Sequence, residues 1–174
     1  MNHPAGQLQP GVEIDLIVHA SPTDPDARPL VDDLIREYSA RYHDVFEEPD
    51  AAAQELDRYP PADFAAPHGA FLLIRRGGET IGGGAFMRHA DPGTAEFKRI
   101  WTDPRHRRRG LARRIVEALE VEARRLGYRR VYLTTGFRQP EAVGLYRRLG
   151  YTALFDPDGD LAAIFKLPFE KALA

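Results

Sequence analysis

Three features of this sequence predict an α/β (α+β) fold, with a mixed central sheet of about seven strands flanked by about four helices. The first is the order of the patterns: strand, two helices, three strands, helix, strand, helix, two strands. The second is residues 110–126, a helical stretch long enough to carry the chain between two parallel strands, which an antiparallel hairpin would not need. The third is size. The chain has 174 residues and neither an internal repeat nor a low-complexity linker, so one domain spanning 1–174 is expected.

Each element has its own signal. Residues 13–19 alternate weakly and read as a first strand, followed by the turn-rich Ser21-Pro22-Thr23-Asp24-Pro25-Asp26, where Asp or Thr can cap a helix. Residues 29–41 carry Leu30, Leu34, Ile35 and Tyr38 on one helical face. A shorter helix at 50–59 ends at Pro60-Pro61. Residues 69–75 and 80–87 are strands around a Gly77-Gly78 hairpin turn, and 94–102 gives the next strand. Leu111, Ile115, Leu119, Ala123 and Leu126 then recur with helical period up to the stop signal Gly127. Residues 129–135 form a buried strand and 139–149 a helix. The reading closes with strands at 151–155 and 161–167, joined by a hairpin loop at 156–160.

Composition excludes some chemistry. Cysteine is absent, which removes disulfides, thiolate metal ligands and a cysteine nucleophile, and with it an acyl-enzyme thioester. The first twelve residues are polar, without an apolar signal core, and are expected to be flexible. No run approaches the ~18 apolar residues of a membrane span, so the expected setting is the cytoplasm, with no membrane partner. Charge is lopsided: residues 1–87 hold 15 acidic and 6 basic residues, whereas 88–174 hold 11 acidic and 18 basic. An anionic ligand therefore belongs to the second half. The acidic first half disfavours nucleic acid and leans toward a cationic substrate, although surface charge acts mainly through steering. His3, His19, His68, His89 and His106 show no metal-site spacing, and no metal is expected.

The basic turn at 102–113 is the most specific segment. Pro104 stops a strand, Gly110 frees the backbone, and a helix begins at once. A helix N-terminus offers unpaired amides and the positive end of the dipole, a natural seat for a diphosphate, and arginines add bidentate contacts. The cluster from Arg105 to Arg114 also fits a solvated helix start or counterion-releasing contact with nucleic acid. The glycine placement favours the phosphate of a small ligand, and few aromatics stand among the arginines to stack on bases.

Arg107, Gly110 and Ala112 match an R/Q-x-x-G-x-G/A signature. Residues 139–151, Gln-Pro-Glu-Ala-Val-Gly-Leu-Tyr-Arg-Arg-Leu-Gly-Tyr, are similar to an N-x-x-A-x-x-L-Y-x-x-x-G-F/Y helix. In this order the two motifs resemble the GNAT superfamily of acyl-CoA-dependent N-acetyltransferases, over residues 69–167, with 94–155 as the acyl-CoA binding core.

The resemblance implies acetyl-CoA (coenzyme A) as co-substrate and direct acetyl transfer to a primary amine, most simply a small molecule, with a peptide amine still open. A homodimer is compatible with the family. It also implies pantetheine contacts from the backbone of Ile100, Trp101 and Thr102 through a locally splayed strand. The amides of Arg107, Arg108, Arg109, Gly110, Leu111, Ala112 and Arg113 would hold the pyrophosphate, with Gln139 and Ala142 beside the coenzyme arm. Tyr146 takes the position of the acid that protonates the departing thiolate. Three positions depart from the pattern: Gln139 replaces a common asparagine, Ala112 a glycine, and Arg108 stands where glycine is frequent.

Two roles stay open on the residues alone. Tyr146 is also an ordinary aromatic for a packed helix face among Val143, Leu145 and Leu149. Glu96 is a candidate general base or substrate ligand, and equally the partner of Lys98. Simple alternation puts Glu96, Lys98 and Ile100 on one face of the strand and Phe97, Arg99 and Trp101 on the other. Tyr42 and Arg99, with Glu96, are the candidate acceptor residues, and the segment 38–48, with Tyr42, His43, Glu47 and Glu48, would border the acceptor site in this fold or is simply a surface helix face. A non-catalytic acyl-CoA sensor and an enzyme acting on protein or charged tRNA are the competing functions.

Overall fold

The computed structural model describes residues 13–45 and 48–174; the expectation of flexibility for residues 1–12, and Glu47, lie outside them. The elements are β1 (Leu16–His19), α1 (Arg28–Arg41), α2 (Ala51–Asp57), β2 (Ala70–Arg76), β3 (Glu79–Arg88), β4 (Thr94–Thr102), α3 (Leu111–Arg125), β5 (Arg130–Gly136), α4 (Pro140–Arg148), β6 (Thr152–Ala153), α5 (Leu161–Ile164) and β7 (Lys166–Ala172). They build a seven-stranded mixed sheet in the order β1-β2-β3-β4-β5-β7-β6. The β4–β5 pair is parallel and the others are antiparallel. No helix among the described residues is long and apolar enough to cross a membrane.

The expected order holds until the C-terminal strands. Residues 161–167 form no continuous strand: the Asp160 side chain accepts a hydrogen bond from Ala163 N–H at 3.3 Å and starts the single turn α5. Phe165 then turns the chain at φ 66° into β7. The hairpin expected at 156–160 therefore leads into a helical turn, although β6 and β7 still pair antiparallel. β7 runs through Pro168, opposite Thr134. Proline has no N–H to give a second neighbour, and β6 on that side is only two residues long.

Helices cover both faces. Under α3 and α4 lie Phe86, Phe97, Ile115, Leu119, Leu133 and Phe169; under α1 and α2 lie Leu30, Phe64, Phe71, Leu73 and Trp101. Burying each such side chain contributes about 1.5–3 kcal/mol. Two glycines in β3 allow both helices close approach: a Cβ on Gly83 would meet Leu30 of α1 at 2.6 Å, and one on Gly84 would meet Leu119 of α3 at 3.0 Å.

β4 carries the irregularity that shapes the site. Lys98 pairs with Ala85 and Trp101 with Gly83, so Arg99 and Ile100 together oppose Gly84, a β-bulge with Arg99 at φ 59°. The extra residue resets the pleat and corrects the simple alternation. Ile100 packs with Phe97 on the α3 side. Arg99 and Trp101 lie with Lys98 on the α1–α2 side, where the Trp101 indole donates to Asp33 of α1 at 2.7 Å. Pairing with β5 also stops, at Phe97↔Leu133, while β5 continues alongside β7 to Gly136. The two parallel strands thus part beyond Phe97, which is the splay that the resemblance implies.

Candidate active site

Two cavities open where β4 and β5 separate. The first, about 500 Å³, is lined on the β4 side by Ile100, Trp101 and Thr102, on the α3 side by Arg107, Arg108, Gly110, Leu111, Ala112 and Arg113, and on the α4 side by Gln139, Ala142 and Tyr146. Every residue expected to hold the coenzyme is there except Arg109, which does not line the cavity.

The turn before α3 is shaped by backbone conformation. Asp103 accepts from Arg105 N–H at 2.8 Å and fixes the strand exit. Arg108 and Gly110 then both adopt left-handed conformations, at φ 61° and 75°. This explains why glycine suits position 108, since a Cβ there crowds the following carbonyl oxygen. The first internal bond of α3 runs from Arg114 N–H to the Gly110 carbonyl at 3.1 Å. The amides of Leu111, Ala112 and Arg113 precede it and point out of the helix end, toward an anion site. At its other end α3 closes with Gly127 at φ 90°, and Glu120 ties it inward by accepting from Tyr151 Oη and Lys171 Nζ, both at 2.9 Å.

Sequence reading missed the contribution of α1 to this cavity. Glu37 lines it and is ion-paired with Arg107, and Arg41 of α1 pairs with the lining Glu141 at 2.5 Å. Both acids belong to a charge pattern that a linear reading assigns to solvent; only the fold brings α1 against α3 and α4.

Tyr146 is buried at the floor of the first cavity, with ring contacts to Tyr151 at 5.6 Å and Phe169 at 5.7 Å. Burial, with nearby Tyr38 adding to it, raises its pKa far above the ordinary phenol value. The hydroxyl therefore keeps its proton at neutral pH.

The second cavity, about 310 Å³, lies on the α1–α2 side and is walled by Tyr38, Tyr42, Glu55, Tyr59, Phe97, Lys98, Arg99, Thr135, Gly136, Phe165 and Lys166 among others. Gln139 lines both cavities. Its Oε1 accepts from Gly136 N–H at 2.9 Å and Thr135 Oγ1 at 3.2 Å, so the longer amide bonds to the neighbouring backbone. Tyr42 and Arg99 both line this second space. Glu96 lines neither cavity; it is paired with Lys98 at 2.8 Å. His43 and Glu48 also stand outside both walls. Burial pushes the Tyr38 phenol up to about 12. Among the described residues of 1–87 the only charged group lining this space is Glu55, and Lys166 pairs with it at 3.3 Å. The wall thus departs from the cationic acceptor suggested by the acidic first half. Among the described residues no cluster of His, Asp or Glu could hold a metal ion.

A family model described as the acetyltransferase (GNAT) family matches residues 30–151. The chain belongs to this family. It is 35% identical over 111 residues to a protein of Azospirillum brasilense named IAA acetyltransferase, covering 56% of this chain and 72% of that one. It is 28% identical over 126 residues to the N-acetyltransferase YjgM of Escherichia coli, covering 71% and 75%. Among solved structures, one assigned as an acyl-CoA N-acyltransferase from Klebsiella pneumoniae superposes with TM-score 0.68 at 26% identity, over 92% of this chain and 99% of the other. A PaiA N-acetyltransferase from Thermoplasma acidophilum, solved in complex with coenzyme A, shares the fold with TM-score 0.67 at 16% identity, over 91% and 99%. This GNAT chain is thus an acyl-CoA N-acetyltransferase, of a family that uses acetyl-CoA and acts on small-molecule or peptide acceptors.

Proposed function

We propose that this enzyme transfers an acetyl group directly from acetyl-CoA to the primary amine of a small molecule while both are bound. The observation that carries the reading is the shared wall of the first cavity, which sets the open amides of α3 and the buried Tyr146 hydroxyl at one space. In this reading the α3 amides and arginines hold the diphosphate, and the β4 segment from Ile100 to Thr102, which has left β5, receives the pantetheine arm. The PaiA complex with coenzyme A supports the same use of the fold.

The acceptor enters from the second cavity and meets the thioester near Gln139. The amine nitrogen forms a bond to the acetyl carbon, the carbon–sulfur bond breaks, and the Tyr146 hydroxyl gives its proton to the sulfur. The proton that the attacking nitrogen loses passes through water and restores the one that Tyr146 gave up. Holding the reactants in attack geometry supplies several kcal/mol, on the order of what intramolecular reactions gain. The absence of cysteine agrees with transfer that uses no acyl-cysteine.

The test is coenzyme A release from acetyl-CoA, followed with a thiol reagent over amino acids, polyamines and peptide amines, for the enzyme and Tyr146→Phe. Expected is release with one amine class, a kcat lowered about a hundredfold in the variant, and acetyl-CoA affinity within twofold. Equal turnover by Tyr146→Phe removes the tyrosine from the chemistry. Binding of acetyl-CoA without release on the whole panel favours a sensor.

A further inference from the structure

We infer that the acceptor carries a carboxylate and that Arg99 binds it in the second cavity. This rests on the acyl-transfer reading above and adds the substrate class to it. Three cations line that space: Lys98, Arg99 and Lys166. Lys98 is matched by Glu96 at 2.8 Å and Lys166 by Glu55 at 3.3 Å. Arg99 has no carboxylate within ion-pairing distance among the described residues; its guanidinium donates to the Leu56 carbonyl and lies over the Phe64 ring at 4.5 Å. The guanidinium is part-buried, and burial lowers the arginine's pKa, with Asp57 offsetting part of this from beyond ion-pairing distance. An unpaired charge in such a place is costly unless something neutralises it.

The bulge makes this placement deliberate. At φ 59° Arg99 occupies a conformation that disfavours any residue with a Cβ, and it is the extra residue of the bulge that turns the side chain to the α1–α2 side. One Arg99 N–H is spent on Leu56, and the planar group has five donors, so a bidentate contact with a carboxylate remains within its capacity. The rest of the wall suits a flat apolar body: Tyr38, Tyr42, Tyr59, Phe97 and Phe165. A space of about 310 Å³ is at the small end for ligand pockets, which points to a molecule about the size of an aromatic amino acid. A polyamine or an aminoglycoside would meet surplus positive charge instead.

The experiment uses matched acceptors: phenylalanine, its carboxamide, and phenethylamine, which lacks the carboxyl group. Coenzyme A release is measured for the enzyme, Arg99→Gln and Arg99→Lys. Binding of phenylacetate and N-acetylphenylalanine to the enzyme loaded with coenzyme A is measured by calorimetry for the same three proteins. The acid is expected to exceed both neutralised forms by at least about tenfold in kcat/KM. Arg99→Gln is expected to raise its KM by about thirtyfold with KM for acetyl-CoA unchanged, which also certifies that the variant is folded; Arg99→Lys recovers part of the loss.

Equal rates for the three acceptors, or indifference of acid binding to Arg99→Gln, overturn the inference. So does failure of both carboxylates to bind. Should Arg99→Gln fail to fold, the Arg99→Lys KM and the carboxylate binding of the unaltered enzyme decide it. Arg99-dependent carboxylate binding without turnover of any amine counts against the acyl-transfer reading and leaves the carboxylate site standing.

Discussion

On one side of Gln139 the active-site wall includes two stretches with free main-chain groups, the end of β4 where it has left β5 and the first turn of α3, with arginines and the side chains of α4 around them. On the other side it consists of side chains from α1, α2, β4, β5 and β7. The first kind of wall recognises a diphosphate and an amide-bearing arm through groups that every residue possesses, so only the backbone conformation has to be specified. The second recognises its ligand through side-chain identity, and each contributing element can change independently. One family can therefore keep a common donor while its acceptors diverge.

The sharpest way to break this contrast is Gly110→Glu. It forces a side chain onto a residue at φ 75° and adds a negative charge at the helix end meant for phosphate. Acetyl-CoA affinity measured by calorimetry is expected to fall at least about a hundredfold, with carboxylate binding in the second cavity retained. The reciprocal change is Gly136→Ala. Its Cβ would stand 1.7 Å from the Tyr42 hydroxyl and 3.1 Å from Gln139 Oε1, so the acceptor wall must shift. Chemical denaturation should show a loss of about 1–3 kcal/mol, and acceptor KM should rise about tenfold while acetyl-CoA affinity changes less than twofold.

Glu37→Gln gives a smaller effect of opposite sign on the donor side. It releases Arg107 from its ion pair and removes a negative charge from the diphosphate cavity. Acetyl-CoA should bind about threefold tighter, more so at low salt. The smallest effect concerns the frame behind the donor cavity. Asp15 bridges Arg76 of β2, at 2.6 Å, and Arg114 of α3, at 2.5 Å. The Arg76 hydrogen bonds, followed by Arg114, outweigh burial and hold its carboxyl at about 2, against an ordinary 3.8. A lowered pKa means the contribution is complete above about pH 4 and disappears as pH falls through about 2. Thermal unfolding of Asp15→Asn should therefore lie below that of the unaltered protein at pH 7 and converge with it toward pH 2; a constant gap would remove Asp15 from the acid response.

The donor cavity was largely legible because its determinants are local. Pro104, Gly110 and the period from Leu111 to Ala123 lie within twenty residues of each other, and the turn, the helix start and the phosphate seat follow from them. The splay came from the family resemblance. The bulge did not show, because alternation assumes one residue per step and nothing in the string Glu96 to Trp101 marks the place where two residues face Gly84. Its consequence, that Arg99 shares a face with Lys98 rather than with Phe97, was therefore missed, as was Glu37. Leu161–Ile164 reads as apolar strand by composition; a capping carboxylate at Asp160 decided otherwise.

The sequence by itself determined the order of elements, the crossover that makes β4 and β5 parallel, and the glycine turn that opens α3, since each depends on interactions within one segment or between chain neighbours. Only the tertiary structure decided which acids answer which bases and which lining charge is left over. Lys98 found Glu96 two residues away, Lys166 found Glu55 across 111 positions, and Arg99 was left with no carboxylate in ion-pairing distance among the described residues. Charge pairing depends on distance in space and on exclusion of water, neither of which a linear sequence states.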